Sequence, residues 1–438
     1  MLPLTSSFAT WSNFNRYWAS QSFAQMAGQV LYFGLPLLAA SSLDLSASAV
    51  GLVTFFEFLP TIVFTPVAGI LVDRLDRRKA LLVCHAARAI VLMLVAVLWT
   101  LDTALTSAVW LVALVCGGLN AVADIATLAI IPEVAPEGRL SSANSRVQAS
   151  RSVAQVAGPS VAGLLVGLGT LSLPVAASAT FLLALGLGVS FRYADNTEAK
   201  KATTSVRGTV IPQLRDAVKV IIRHRLLRAL IVQMGLFNLF EQAVITLFML
   251  YALQEFGFGA SGVGALMALG SVGAVVGSLR APRLMRRGKR GTILAFTMGV
   301  ASLPPLLLPV LSSDSSLVVG VLSAGVFLTY GWGLATFNVA SITTRHELIA
   351  HGEQGRTSAF YRLVAYGALS AGAGFASVLA AVLSLREALI IPTVGLMLAY
   401  LGFLYQLLDT WKRPAKRDTT FPGACTEVAQ PVPEHTDD

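Results

Sequence analysis

Twelve apolar stretches, each about twenty residues long, punctuate this sequence at 17–40, 50–72, 80–100, 107–131, 147–168, 171–191, 230–253, 261–279, 292–311, 316–341, 359–383 and 388–410. A helix of about twenty apolar residues spans the hydrocarbon core of a bilayer, and it satisfies its own backbone hydrogen bonds where no water can do so. The expected fold is therefore an all-α membrane protein of twelve transmembrane helices. Residues 169–171 alone separate the fifth and sixth stretches, so that division is the narrowest. Composition agrees: 55% of the 438 residues are hydrophobic and 13% charged, against about 25% charged in ordinary soluble domains.

The net charge of +9 needs no nucleic acid to explain it, because the basic residues fall on alternate loops. Arg74, Arg77, Arg78 and Lys79 follow the second stretch, and Arg139 follows the fourth. Lys200, Lys201, Arg207, Arg215, Lys219, Arg223 and Arg225 lie between the sixth and seventh. Arg280, Arg283, Arg286, Arg287, Lys289 and Arg290 lie between the eighth and ninth, and Lys412, Arg413, Lys416 and Arg417 follow the last. The opposite loops carry Asp44, Asp102, Glu255 and Asp314, with Arg386 as their one base. Basic loops stay in the cytoplasm, so both termini are expected there; by analogy alone, the compact loops suggest a bacterial inner or plasma membrane. Cys84 and Cys116 fall within stretches and Cys425 in the tail, a distribution that suggests neither disulfides nor a metal site. The five His show no ligand spacing. No metal or other cofactor is expected.

The chain divides into an N-terminal six-helix bundle (1–193), a cytoplasmic linker (194–228), a C-terminal six-helix bundle (229–411) and a polar tail (412–438), which is expected to be disordered. In the linker, Leu214, Val218, Ile221 and Ile222 recur at helical spacing, with Arg215, Lys219, Arg223 and Arg225 opposite. That pattern predicts an amphipathic helix on the inner leaflet. The halves look like repeats: Glu137-Gly138-Arg139-Leu140-Ser141-Ser142-Ala143 precedes the fifth stretch, and Gln354-Gly355-Arg356-Thr357-Ser358-Ala359 the eleventh. Two parallel six-helix repeats form a transporter plan with the substrate site between them, near mid-membrane.

Ionisable groups inside a bilayer cost about 2.5–3.5 kcal/mol each on insertion scales, and so mark function by default. Glu57, Asp124 and Glu241 are the candidate carboxylates. Hydrocarbon disfavours a carboxylate's charged form, which suits these groups to carrying protons; they could equally pair with a cationic substrate, or be satisfied structurally by a neighbouring helix. Polar residues accompany them. Gln21, Gln25 and Gln29 repeat every four residues, Asn120 shares a helix face with Asp124, and Asn238 and Gln242 flank Glu241. Tyr330, Trp332, Thr336 and Asn338 lie along the tenth stretch. These side chains are expected to line a cavity, although inter-helix hydrogen bonding could hold them as well. Arg88 reads first as a side chain that snorkels to the inner surface; an anionic substrate could instead use Arg88, Arg146 or Arg151.

Gly69-Ile70-Leu71-Val72-Asp73-Arg74-Leu75-Asp76-Arg77-Arg78-Lys79 resembles the signature loop between the second and third helices of the major facilitator superfamily. One residue departs from it: Asp76 stands where the family usually has Gly. The resemblance implies a conformational latch, in which Gly69 belongs to the motif, Asp73 holds the cytoplasmic end of the eleventh helix, and Arg74, Arg77 and Arg78 form the surrounding charge network. The corresponding loop of the second half carries Ala281 and Pro282 instead of Asp-Arg. Gly158, Pro159 and Gly163 are similar to the antiporter motif of the superfamily's exporters, with Ala154 and Ala162 in place of two of its glycines. Phe237-Asn238-Leu239-Phe240 and Ala143-Asn144-Ser145 resemble the branch that contains the enterobactin exporter and macrolide efflux proteins.

These readings converge on a secondary active transporter that exports a small organic molecule, such as a siderophore, an antibiotic or another amphiphilic compound, in exchange for protons. Its expected partners are that solute, protons and the bilayer; it is expected to act as a monomer and to bind no nucleic acid. The alternatives are proton-coupled uptake of a small solute and a non-transporting membrane sensor or scaffold. No Gly-rich Lys-Ser/Thr phosphate loop appears, which argues against ATP-driven pumping, and no nucleophile-and-base constellation suggests an enzyme.

Overall fold

The computed structural model describes residues 4–43, 45–74, 76–101, 107–136, 139–192, 210–311, 315–350 and 353–412, without the side chains of 4–11, 65–74, 107, 128, 141, 210, 211, 213 and 410–412. Every regular element among them is helical: α1 (Leu4–Ser41), α2 (Ala47–Arg74), α3 (Arg77–Thr100), α4 (Ser107–Val134), α5 (Leu140–Leu168), α6 (Ser172–Ser190), α7 (Val210–Arg223), α8 (Arg225–Gln254), α9 (Ala260–Arg287), α10 (Arg290–Ser302), α11 (Ser316–Leu348), α12 (Gln354–Val382) and α13 (Leu385–Lys412). Eleven of these segments are long and apolar enough to cross a membrane, counting α10 with the 3-10 turns at Pro304–Val310. The fifth predicted span, α5, has 29 residues but is more polar, because it carries Arg146, Arg151, Gln148 and Gln155 on its interior length.

Local chemistry explains the boundaries. The division between α5 and α6 is where it was expected: Gly169 takes φ +134°, a conformation that side chains rarely adopt, and Ser172 Oγ donates to its carbonyl at 2.6 Å. The ninth stretch is not one α-helix. It stops at Ser302 and continues as a 3-10 turn from Pro304, because Pro304 and Pro305 have no N–H with which to continue the ladder. Asp76, which departs from the signature loop, caps α3: its Oδ1 accepts from the Arg78 and Lys79 amides at 3.0 and 3.1 Å. Asp76→Ala should therefore lower stability by about 1 kcal/mol, measured as the thermal unfolding of purified protein, while Asp76→Asn should preserve it.

Within the linker, residues Val210–Arg223 form α7, and part of its apolar face packs within the chain. Ala217, Val220 and Ile221 are buried, and Ile221 packs with Leu227, Ile231, Ile349 and Tyr361 of the adjoining elements. Ile222 points outward, 56% exposed. Residues 194–209 of the predicted linker and 413–438 of the predicted tail lie outside the described residues.

In one set α1 packs on α5, α6 and α2, α2 on α4, and α3 on α4 and α6; in the other α8 packs on α12 and α13, and α11 on α9 and α10. Two broad seams join the sets, α2 with α12 and α5 with α9. Close contacts in both seams lie near the loops that carry few basic residues. Ser377 Oγ donates to the Ser48 carbonyl at 2.6 Å, and Ser370 Oγ to that of Phe55 at 3.4 Å. In the other seam Gly163 faces Gly264, so closely that a Cβ on Gly163 would lie 2.6 Å from the Gly264 Cα.

Candidate functional site

A cavity of about 200 Å³ lies in the bundle interior. Its wall comes from α1 through α6, closed from the other side by Tyr366 and Leu369 of α12. Four charged side chains reach it: Glu57 of α2, Arg88 of α3, Asp124 of α4 and Arg151 of α5. Their helices can approach because small residues stand at the crossings. Gly117 of α4 lies directly against the Glu57 backbone, and Gly158 of α5 against Gln29 of α1.

Each charge has a distinct setting. Arg151 Nη2 donates to Asp124 Oδ2 at 3.0 Å, an ion pair whose side chains are about one-quarter exposed (27% and 24%). Arg88 is 3% exposed and does not snorkel. Its Nε donates to the Cys84 carbonyl at 3.2 Å, Nη1 to Asn120 Oδ1 at 3.2 Å and Nη2 to His85 Nδ1 at 3.0 Å. Its guanidinium lies over Phe181, 4.3 Å from the ring centroid. Arginine can only donate, so His85 Nδ1 is the acceptor and the imidazole is the neutral tautomer with hydrogen on Nε2. Glu57 Oε2 is buried and has no hydrogen-bond partner among the described residues.

An aromatic wall faces these groups. The Tyr32 and Phe58 rings meet edge to face at 5.1 Å, and Phe58 meets Tyr366 at 6.2 Å. The Tyr32 hydroxyl donates to Gln242 Oε1 of α8 at 2.6 Å. This bond joins the cavity wall to the other set of helices.

The sequence-predicted residues divide among several places. Glu57, Asp124, Gln25, Gln29 and Asn120 line the cavity. Gln21 does not; it is buried and accepts from Thr127 Oγ1 at 2.9 Å. Gln242 meets the cavity only through Tyr32. Glu241 faces a separate small apolar space beside Pro305, Leu308 and Phe327, where Tyr330 donates to its Oε1. Trp332 and Thr336 belong to the α9–α11 seam: Thr336 bonds the Trp332 carbonyl at 2.7 Å, and both pack on Gly277. Asn238 is half-buried, Asn338 is exposed, and neither lines the cavity. Arg146 is exposed and reaches Asn15 Oδ1 at 3.2 Å.

The cavity also takes in Tyr32, Phe58, Gln155 and Tyr366, which the sequence pattern does not single out, and Arg88, which it reads first as a snorkelling side chain. A signal for the α5 residues was present. Asn144, Gln148, Ser152 and Gln155 fall on one face of the helix and are exposed. They form a polar stripe from the cavity toward the basic loops, a surface suited to water rather than lipid.

Of the expected latch, Gly69, Asp73 and Arg74 lie on the last turns of α2, whose side chains are outside the described residues. Arg77 Nη1 pairs with Glu133 Oε1 at 2.5 Å. Arg78 Nη2 donates to the Val189 carbonyl at 2.7 Å, and its guanidinium lies 5.2 Å from the Phe191 centroid. Both arginines thus tie the start of α3 to the ends of α4 and α6. Gly158 and Gly163, of the antiporter-like motif, sit at the two helix crossings described above, with Pro159 one residue beyond the first. Among the described residues, no three His, Cys, Asp or Glu side chains are grouped as metal ligands would be.

Residues 17–373 match the Major Facilitator Superfamily. An uncharacterised transporter of that type from Sinorhizobium fredii is 25% identical over 365 residues, 82% of this chain and 86% of the relative. The fold is similar to that of a variant of the nucleoside transporter NupG, with a TM-score of 0.71 at 13% identity over 90% of this chain and 99% of that one. It is also similar to a bacterial homologue of the iron transporter ferroportin in its inward-facing state, with a TM-score of 0.66 at 15% identity over 90% of this chain and 98% of the other. The helical bundle, its buried polar cavity and the sequence match together establish that this chain belongs to the major facilitator superfamily and is a multi-pass membrane transporter.

Proposed function

We propose that this protein exports a small organic molecule by proton antiport, working by alternating access as a monomer in a bacterial inner or plasma membrane. In this reading α5 is the twelfth span and both termini are cytoplasmic. Residues 1–193 and 229–411 form two six-helix halves, joined by 194–228, with 412–438 as a tail. The cavity is then open toward the cytoplasm along the polar stripe of α5 and closed by the seams at Ser377 and Gly163.

The observation that carries the proposal is the setting of Glu57: a cavity-facing carboxylate with Oε2 buried and unpartnered. A buried charge without partners is costly, so a carboxylate placed there is suited to holding a proton and to exchanging it when the cavity fills or opens. Glu241, held by Tyr330, is a second carrier in the other half. Tyr32 is within electrostatic reach of both carboxylates. One charge crossing 100 mV gains about 2.3 kcal/mol, enough to sustain a gradient of about 40-fold per proton. The antiporter-like residues Gly158, Pro159 and Gly163 support export over uptake, and the partial likeness to the enterobactin and macrolide exporters supports an amphiphilic substrate.

The test is efflux of preloaded amphiphilic antibiotics and cell metabolites from energised cells. Wild-type efflux should collapse when a protonophore is added. Glu57→Gln should abolish the proton-driven component at normal expression, and Glu241→Gln should weaken it. Proton-driven efflux undiminished in the double variant would sink the assignment.

A further inference from the structure

Among the described residues, Arg88 carries a charge that forms no ion pair. No Asp or Glu of the described residues lies within ion-pairing distance of it, and the nearby Asp124 is committed to Arg151. Its three bonds go to neutral acceptors, a backbone carbonyl, an amide oxygen and an imidazole nitrogen. A guanidinium has five N–H groups, so two remain without a partner among the described residues, on a side chain 3% exposed at the cavity wall. Phe181 covers one face of the plane, so an oxygen ligand would have to come along its edge. Such a charge is expensive to bury unless something pairs with it. The planar edge of a guanidinium suits two oxygens of a carboxylate or phosphate.

The charge balance agrees. With a proton on Glu57, the four charged groups of the cavity sum to one positive charge, which a monoanion would cancel. A cation would leave Arg88 unpaired. Across the cavity, Tyr32, Phe58 and Tyr366 offer an apolar, aromatic surface.

On the reading that this cavity is the transport site, we infer that the substrate is an organic anion: its carboxylate or phosphate takes the two free N–H groups of Arg88, and its apolar body lies on the Tyr32–Phe58–Tyr366 wall. His85, Asn120 and the Cys84 carbonyl act as positioning groups that hold the guanidinium toward the cavity.

The experiment uses purified full-length protein in nanodiscs, with benzoate and phenyl phosphate as anionic probes and benzamide as the neutral match. Thermal stabilisation and tryptophan fluorescence titration report binding. Benzoate, phenyl phosphate or both should bind the wild type, with benzamide weaker by about tenfold to hundredfold. Binding of one anion alone identifies the head group. Arg88→Gln should remove the preference for anions, and Arg88→Lys, which keeps the charge but loses the fork, should retain part of it. If the glutamine variant does not fold, the wild-type preference and the lysine variant still decide the matter. The inference is overturned if benzamide binds as well as the anions, if no probe binds, or if the preference survives Arg88→Gln. Reconstituted protein that moves a neutral solute and ignores both anions would overturn it and leave transport standing. Anion-selective binding in protein that moves no solute would keep the anion site and overturn the transport reading.

Discussion

Gly163→Leu is expected to abolish transport while the protein still reaches the membrane. Gly163 lies where α5 crosses α9, and a Cβ there would meet the Gly264 Cα at 2.6 Å and the Ala260 carbonyl at 3.0 Å. Both obstacles are backbone, so no rotamer change relieves the clash; the helices must separate. Overpacking of this kind costs about 1–3 kcal/mol, and it falls on a seam that must close in each transport cycle. Gly186→Leu is the control: nothing lies within 4 Å of a Cβ at that position, so stability should change by no more than about 0.5 kcal/mol. Transport rate, membrane abundance and spin-label distances across the α5–α9 seam check the pair. A Gly163→Leu protein with wild-type rate and distances would refute the role of this crossing.

Neutralising one member of the Asp124–Arg151 pair should be the most destabilising change in the cavity. Asp124→Asn leaves a guanidinium without its counter-charge, and Arg151→Gln leaves a carboxylate. Breaking a buried pair from one side costs about 3–5 kcal/mol, and the partial exposure of these two (27% and 24%) puts the effect near the lower end. The double variant Asp124→Asn/Arg151→Gln can hydrogen-bond amide to amide and should recover much of the loss. Thermal unfolding of the wild type, both single variants and the double variant gives the coupling energy. Additive single effects would contradict the pairing.

The sequence and the structure agree most closely on what depends on hydropathy. Apolar stretches anticipate the helices because the bilayer sets the length and hydropathy of whatever crosses it. The proline break after Ser302 and the cap at Asp76 were also readable in principle, since each follows from one residue's backbone chemistry. The site was legible only in part. Helical spacing tells which residues share a face, but not what stands opposite. Gln25, Gln29, Asn120 and Asp124 face the cavity, whereas Thr336 and Trp332, spaced just as regularly, face the close-packed α9–α11 seam. Arg88 looked like a snorkelling side chain because its depth in α3 was visible, while the inward pull of Asn120, His85 and Phe181 was not. Tyr366 lies more than three hundred residues from Tyr32 and Phe58, and the α2–α12 seam brings it to them.

The measurement that tests export by Glu57-dependent exchange most directly is untargeted mass spectrometry of medium and cell extracts. It would compare the native host carrying the wild-type gene, the Glu57→Gln variant or no gene, in iron-rich and iron-poor growth. The account predicts at least one small organic solute that falls in the medium and accumulates in the cells when the gene is deleted, and that Glu57→Gln reproduces the effect. A solute that shifts in the opposite direction, or identical profiles in all three strains under both conditions, would contradict it.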